Sequence, residues 1–224
     1  MAGEERPLRA DAERNRRRLL DAAEQLFCER GLDVGVGEIA ELAGVGRGTL
    51  FRNFPSKEHL ITAIVVERMN YAAERGSALL DADDPAEALF DFIDEAVGRQ
   101  QIDRVLFESL GDTFMSNDEI RAAQGEVIGV LDQLLARAQA AGTVRDDVGA
   151  LDVLMLVKGV CQAASAFQQL DPEMAQRHLD LVRAALTAPV AARPLRGRMA
   201  TIDDVERAFA PARPEQAAPD AGRA

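Results

Sequence analysis

The sequence predicts an all-α protein of about nine helices. Apolar residues recur at helical spacing along most of the chain, and in the first predicted helix they fall at Leu19, Ala23, Leu26 and Phe27. That stripe is typical of a helix that buries one face. Alternation typical of a strand occurs only over residues 32–36, where glycine weakens it. Helix-starting and helix-ending residues also punctuate the whole pattern.

The N-terminal part is predicted to hold four helices. Gly31 suits the left-handed position that follows many helices, and Gly44 suits a sharp turn. Ser56 suits an N-cap, with Glu58 in the first turn where the helix dipole favours acid. The resulting helices are 11–30, a short one through 39–43, another over 47–53, and a long one over 57–80.

The C-terminal part is predicted to hold five more helices and a tail. Asp or Asn, in two cases followed by Pro, marks four of the five starts. The first of these helices begins at Asp84-Pro85, and the second is short and includes Val105, Leu106 and Phe107. The third runs from Asn117 or Asp118 to near Gly142. The fourth spans 148–169 after Asp147, and the fifth spans 171–188. Residues 189–224 contain 5 of the 9 Pro and 10 Ala. They are therefore predicted to form a mostly disordered tail, with a possible short helix at 202–209.

Composition excludes several classes of protein. A hydrophobic share of 47% in 224 residues supports one ordinary domain or two small ones. With 2 Cys and 2 His, a disulfide scaffold or a zinc site of several Cys and His is excluded. Apolar runs are far shorter than the roughly 20 residues of a membrane helix, and the first residues lack a signal-peptide core. We therefore expect a soluble cytoplasmic protein that does not bind membranes.

The net charge of −12 conceals an asymmetry along the chain. Residues 1–57 carry 10 basic and 10 acidic side chains, whereas residues 58–224 carry 16 basic and 28 acidic ones. The distribution of charge matters more than its total when phosphate is the partner. The neutral first part, with its arginine cluster at 14–18, therefore remains a candidate for binding nucleic acid.

Residues 36–54 have the spacing of a helix-turn-helix. Two short predicted helices flank Gly44 with a connection of only about three or four residues, the arrangement that sends the second helix into the major groove. Small Ala40 and Ala43 permit a close crossing. The small core between these helices is predicted to comprise Ile39, Leu42, Val45, Leu50 and Phe54.

Residues 16–60 resemble the N-terminal DNA-binding domain of the TetR family of transcriptional regulators. About 45 residues are covered, a fifth of the chain. The matching stretches are Leu19-Leu20-Asp21-Ala22-Ala23, Leu26-Phe27, Glu29-Arg30-Gly31, Glu38-Ile39-Ala40, Ala43-Gly44-Val45-Gly46, Gly48-Thr49-Leu50-Phe51, Asn53-Phe54 and Ser56-Lys57-Glu58.

The resemblance implies a set of DNA-contacting residues. Arg47 would read guanine bidentately, a contact worth roughly 1–3 kcal/mol of discrimination. Gly48 would admit the backbone to the groove, and Arg52 would contact base or phosphate. Phosphate contacts are implied for Thr49, for Asn53 and Lys57, and for a member of the arginine cluster. The full set is Arg47, Gly48, Thr49, Phe51, Arg52, Asn53, Lys57 and Arg17.

The chain departs from the family pattern at two places. Phe51 stands where the family usually has Tyr, so a hydroxyl that commonly touches phosphate is missing. Residues 34–37 read Val-Gly-Val-Gly where the family often has Ser or Thr, so the next helix lacks a side-chain cap. Both departures weaken the phosphate clamp and leave the helix-turn-helix in place.

The C-terminal helices contain candidates for a ligand pocket and for a dimer interface. Large apolar residues from several helices are candidates for the pocket, although each could simply fill the core. They are Phe90, Ile93, Val97, Phe107, Phe114, Met115, Leu131, Leu134 and Met155. The last two helices could form a four-helix interface between two subunits. Its candidates are Leu151, Val160, Ala164, Phe167, Leu179, Val182 and Leu186.

The resemblance implies a homodimeric, ligand-responsive repressor that binds a pseudo-palindromic double-stranded DNA operator. Four segments are expected: a flexible arm at 1–10, the DNA-binding domain at 11–57, an effector-binding and dimerisation domain at 58–188, and the tail. The effector is expected to be apolar or amphipathic. No catalytic residue, metal or cofactor is expected, because the sequence lacks a nucleophile–base pair, a ligand cluster and a phosphate loop.

Two alternatives stay open. One is a helical protein-interaction or small-molecule-binding protein whose helix-turn-helix is too weak to hold DNA, which the missing hydroxyls favour. The other is a small helical enzyme, which no motif supports. Salt-dependent DNA binding distinguishes the regulator from the first alternative, and turnover by the purified protein would identify the second.

Overall fold

The computed structural model describes residues 5–98, 117–165, 173–187, 195–199, 201 and 204. These residues form eight helices and no strand, which confirms the predicted all-α class. The helices are α1 (Glu5–Arg30), α2 (Val36–Leu42), α3 (Arg47–Asn53), α4 (Lys57–Leu79), α5 (Pro85–Gly98), α6 (Asp118–Ala140), α7 (Ala150–Ser165) and α8 (Met174–Leu186). The predicted helix around Phe107 and the one at 202–209 lie outside the described residues, apart from Asp204.

The first helix is longer than predicted. It begins at Glu5, so residues 5–10 are helical where a flexible arm was predicted. Pro7 lies in the first turn of this helix, where the missing N–H forfeits no helical hydrogen bond. The proline is therefore compatible with a helix that starts before the arginine cluster.

Most helix boundaries confirm the capping predictions. Gly31 and Gly44 adopt left-handed φ values of 73° and 62°. The Ser56 hydroxyl oxygen accepts a hydrogen bond from the backbone N–H of His59 at 3.4 Å. Asp84 accepts two backbone N–H bonds at the start of α5, and Asn117 accepts two at the start of α6. Short side chains thus satisfy amide groups that the helix itself leaves free.

The start of α7 differs from the prediction at Asp147. That carboxylate does not cap the helix, because Arg145 donates to both of its oxygens at 2.5 and 2.8 Å. The backbone N–H of Leu195, from the predicted tail, also donates to Asp147 at 3.4 Å. Helical bonding begins instead at the Gly149 carbonyl, and Asp152 accepts the Gly149 N–H at 2.9 Å.

The helices enclose two apolar cores. The first lies among α1, α2, α3 and the first half of α4, and it also includes Ile120 from the start of α6. The second lies among the end of α4 and α5 to α8, with fully buried Leu89, Leu134 and Val153. Helices α4 and α6 are therefore the two helices that contribute to both cores.

Gly76 permits the close approach of α4 to α5 and α6. A Cβ atom at this position would lie 2.5 Å from Cγ1 of Val130 and 2.6 Å from Cε2 of Phe92. We expect Gly76→Ala to lower the free energy of unfolding by about 1–3 kcal/mol in urea titrations, because overpacking displaces neighbouring side chains. Gly125→Ala on α6 is the control. Its Cβ would meet no atom within 4 Å, so it should be neutral or gain up to about 1 kcal/mol from helix propensity. Equal stability of the two variants would contradict the close packing.

Candidate nucleic-acid interface

Helices α2 and α3 are joined by a tight turn at Gly44. The Gly44 N–H donates to the Glu41 carbonyl and the Val45 N–H to the Ala40 carbonyl, both at 3.0 Å. These bonds close the end of α2 while the left-handed Gly44 redirects the chain. The turn therefore fixes the angle at which α3 leaves α2.

The small core behind this turn is confirmed except at Leu42. Ile39, Leu50 and Phe54 are buried, and Val45 is half-buried. Leu42 is 47% exposed, so its predicted place in the core is wrong. At 100° per residue, Leu42 lies on the far side of Ile39 from the buried Ala40 and Ala43, so it faces solvent.

Helix α3 presents one continuous face to solvent. Arg47, Gly48, Phe51 and Arg52 are exposed, with Phe51 exposed by 48%, whereas Leu50 anchors the opposite side. Positions i, i+1, i+4 and i+5 share one face of a helix. The residues that the sequence predicts to meet the major groove are thus brought together at one surface, which we call the α3 face.

Arg47 packs over the start of α2. Its guanidinium lies so close to Gly37 that a Cβ atom there would collide with it. From the sequence alone, residues 34–37 indicate only that α2 lacks a side-chain cap. The structure shows that the Arg47 side chain lies against Gly37, a contact that the local sequence gives no sign of.

No side chain caps the start of α2, and the backbone N–H of Glu38 donates instead to the Gly35 carbonyl at 3.0 Å. Gly35 is the N-cap residue, and its N–H donates to a carboxylate oxygen of Glu38 at 3.1 Å. Arg30 donates to the other oxygen at 2.5 Å. The Arg30 guanidinium and the Gly35 N–H hold the pKa of Glu38 below its usual range. The hydroxyl cap is absent, as predicted, and the Glu38 carboxylate satisfies the N–H of the N-cap residue itself.

The polar side chains near the end of α3 donate to their own helix. Arg52 donates to the Gly48 carbonyl at 3.1 Å and to the Thr49 hydroxyl at 3.3 Å. Asn53 donates to the Thr49 carbonyl at 2.7 Å. Thr49 and Asn53 are half-buried at the edge of the α3 face. Their phosphate contacts stay predictions.

Two predicted DNA-contacting cations have other partners. Lys57 donates to the carbonyls of Leu32 and Val34, the latter at 2.8 Å, and so ties the α1–α2 loop to α4. Arg17 pairs with Asp21 at 3.0 Å and with Glu67 on α4. Their distant partners could not be read from local sequence. Phosphate binding by either residue would require it to share or exchange these partners.

Two other arginines of the cluster lie against the helix-turn-helix. Arg18 donates to the Gly44 carbonyl at 3.3 Å, and the Arg16 guanidinium stacks over the Phe54 ring at 4.8 Å. Arg16 and Arg18 are thus the members of the cluster that contact the helix-turn-helix, and the phosphate contact of Arg17 stays a prediction. Arg17 differs from Arg16 and Arg18 in its position around α1, because it lies on the same face of the helix as Asp21, with which it pairs.

Most of the predicted pocket residues in the described part of the chain lie in or beside the second core. Phe90, Ile93, Leu131 and Leu134 are buried in the second core, against which Val97 packs. Met155 is 69% exposed and lies outside that core, so its place in a pocket stays a prediction. Phe107, Phe114 and Met115 lie outside the described residues. A cleft of about 550 Å³ opens elsewhere, between α4 and α6.

Five of the seven predicted interface residues are buried within the subunit, and the interface itself stays a prediction. A helix shows the same apolar stripe whether the stripe is buried within the monomer or against a partner. The residues buried within the subunit are Leu151, Ala164, Leu179, Val182 and Leu186. Val160 is half-buried, and Phe167 lies outside the described residues. The exposed apolar residues of these helices are Met155 and Leu156 on α7 and Leu181 on α8. We call these three the α7–α8 face.

The described residues contain no cluster of three or more His, Cys, Asp or Glu able to hold a metal ion. None of the helices in this part of the chain is both long and apolar enough to cross a membrane.

Comparison with known proteins identifies both halves of the chain. The family model "Bacterial regulatory proteins, tetR family" matches residues 19–64. The model "Transcriptional regulator SbtR-like, C-terminal domain" matches residues 84–188. The sequence alone had shown a family resemblance only in the N-terminal domain.

Individual relatives agree with these models. The HTH-type transcriptional repressor KstR of Rhodococcus jostii is 33% identical over 134 residues, which span 58% of this chain and 63% of that protein. KstR of Mycolicibacterium smegmatis is 31% identical over 149 residues, 64% of this chain and 72% of that protein. The crystal structure of the TetR transcription regulatory protein from Mycobacterium vanbaalenii superposes with a TM-score of 0.63 at 33% identity, covering 81% of this chain and 100% of that one. With its helix-turn-helix and its helical C-terminal domain, the chain belongs to the TetR family of DNA-binding transcriptional regulators.

Proposed function

We propose that the chain is a cytoplasmic, ligand-responsive homodimeric repressor that binds a pseudo-palindromic operator. The observation that carries this proposal is the α3 face, on which Arg47, Gly48, Phe51 and Arg52 stand exposed over a buried Leu50. A rigid helix with an arginine at its start and no bulk at the next position suits insertion into the major groove.

Charge favours one orientation on DNA. The excess of acid lies in residues 58–224, whereas residues 1–57 have equal numbers of acidic and basic side chains. A duplex is therefore repelled by the C-terminal body and meets least repulsion at the helix-turn-helix. Arg47 is the base reader in this arrangement, because its guanidinium matches guanine O6 and N7.

The α7–α8 face is the proposed dimer contact. Met155, Leu156 and Leu181 expose apolar surface on two helices that pack side by side. Two copies would bury these residues in a four-helix arrangement about a two-fold axis. The two α3 faces could then reach half-sites about 34–36 Å apart, or a multiple of that distance.

We expect Leu181→Arg to dissociate the dimer. The substitution would place two charges, one from each subunit, against apolar surface, which costs several kcal/mol. Light scattering coupled to size exclusion should report a monomer for this variant and a dimer for the parent. The control is Leu42→Arg, which makes the same change at an exposed leucine on α2, away from the α7–α8 face. This variant should remain dimeric. A dimeric Leu181→Arg variant would exclude this face.

Regulation requires an effector that binds the DNA-incompetent arrangement more tightly than the competent one. Helices α4 and α6 are suited to transmit this difference, because each contributes to both cores. A shift between α4 and α6 in the C-terminal body would move the residues that support the helix-turn-helix. The spacing of the two α3 faces would change with it.

Footprinting of the DNA upstream of the chain's own coding region tests the proposal. We expect protection of a pseudo-palindromic site whose half-sites are about one helical turn apart or a multiple of that. Inserting five base pairs between the half-sites should abolish protection, because it rotates one half-site to the opposite side of the duplex. Protection that survives the insertion would contradict a dimer reading two half-sites.

A further inference from the structure

The cleft between α4 and α6 has an apolar floor. Ala73 and Val130 are nearly buried at its base, and Gly129 adds no side chain. Its volume of about 550 Å³ lies in the range of small-molecule sites, about 300–1,000 Å³. The helices that form it are the two that contribute to both cores. We call this site the α4–α6 cleft.

The lining of the α4–α6 cleft carries two negative charges and no positive one, beside the neutral polar side chains of Asn70, Ser77 and Gln133. Glu74 on α4 and Glu126 on α6 are exposed on the two sides, and neither has an ion-pair partner among the residues that the structure describes. Gln133 donates its amide N–H to the Gly129 carbonyl at 3.2 Å, which leaves its oxygen as an acceptor. Two free carboxylates above an apolar floor favour a ligand with positive charge and an alkyl body.

We propose that the α4–α6 cleft binds an organic diamine, with one ammonium group at each glutamate and the alkyl chain along Ala73 and Val130. A diamine is more polar than the apolar or amphipathic effector that the sequence predicts. That the diamine is the effector rests on the proposed function, whereas its binding to the cleft does not. A diamine bound between α4 and α6 would shift these two helices relative to each other, and both of them contribute to the core of the DNA-binding domain.

Calorimetric titration of the DNA-free protein with 1,4-diaminobutane and 1,6-diaminohexane tests the site. At least one of these diamines should bind the parent protein more tightly than 1-aminobutane does. Glu74→Gln and Glu126→Gln should each weaken that binding on the order of tenfold, because each removes a charge-assisted hydrogen bond.

The control variant is Glu41→Gln on α2, an equal change of charge at an exposed glutamate outside the cleft. It should bind the diamine like the parent protein, and circular dichroism should show all three variants folded. Equal binding by all three variants, or no binding of either diamine at millimolar concentration, would overturn the site. Because this titration uses no DNA, its failure leaves operator binding intact, and a failure of operator binding leaves the site intact.

A second titration tests the regulatory role. The diamine should weaken operator binding by the parent at least several-fold and should have little effect on operator binding by Glu74→Gln. The variant also corrects for diamine that binds the DNA itself. An equal effect on both proteins would overturn the effector role.

Discussion

Replacing Arg47 by alanine is expected to abolish the preference of the protein for its operator over scrambled DNA. The guanidinium stands at the start of α3 on the exposed face, where it can donate two hydrogen bonds to one guanine. Losing this contact costs about 1–3 kcal/mol at each half-site, which corresponds to about fivefold to 150-fold in affinity for each half-site. Fluorescence anisotropy of the footprinted site, with the scrambled duplex in parallel, measures the loss.

The matched control is Arg121→Ala, which removes another exposed arginine from α6, where it pairs with Asp118 three residues away. This variant has the same net charge as Arg47→Ala and should keep the preference. Arg47→Lys should recover affinity for any duplex without recovering full discrimination, because an ammonium group lacks the planar fork. Wild-type discrimination by Arg47→Ala would show that α3 does not read the site through this residue.

Replacing Ile120 by alanine is expected to lower the free energy of unfolding by about 2–5 kcal/mol, the range for large-to-small substitutions in a core. Ile120 is fully buried, and it extends from the first turn of α6 into the core of the DNA-binding domain. Urea denaturation measures the change. The cavity also loosens the contact between the two cores, so the variant should show a weaker effect of any effector on operator affinity.

Ile128→Ala is the control for this prediction. Ile128 is on the same helix, and it is only half-buried, against the second core. Its replacement should cost less stability and leave the connection to the DNA-binding core intact. If the two variants lose equal stability and respond equally to effector, α6 does not couple the domains through Ile120.

The helix-turn-helix could be predicted closely because its determinants are local. Gly44 sets the turn, Ser56 caps the next helix, and the predicted limits of the second short helix, 47–53, are those of α3. Such features depend on residues within one or two turns of each other, so a single sequence contains them. The family resemblance then supplied the direction in which α3 faces.

The partners of individual side chains could not be predicted in the same way. Lys57 bonds to carbonyls 23 and 25 residues away, and Arg17 pairs with Glu67, 50 residues away. Only the tertiary fold brings these groups together. The packing of Arg47 over Gly37 is likewise a consequence of the angle between α2 and α3.

The helical stripes of α7 and α8 show a second limit. An apolar stripe marks a buried face, and it does not say whether that face is buried within the subunit or against another one. Leu179, Val182 and Leu186 turned inward, whereas the exposed Leu181 was not selected from the sequence. Exposure in the folded subunit provides the missing distinction.

The most direct test of the account is the salt dependence of binding to the DNA upstream of the chain's own coding region, measured by fluorescence anisotropy against scrambled DNA. The account predicts a clear preference for the upstream DNA. It also predicts an affinity that falls steeply with salt, by a slope of about −0.9 for each phosphate contacted. Absence of binding to either duplex at low salt would contradict it and would favour a helical binding protein whose helix-turn-helix no longer holds DNA.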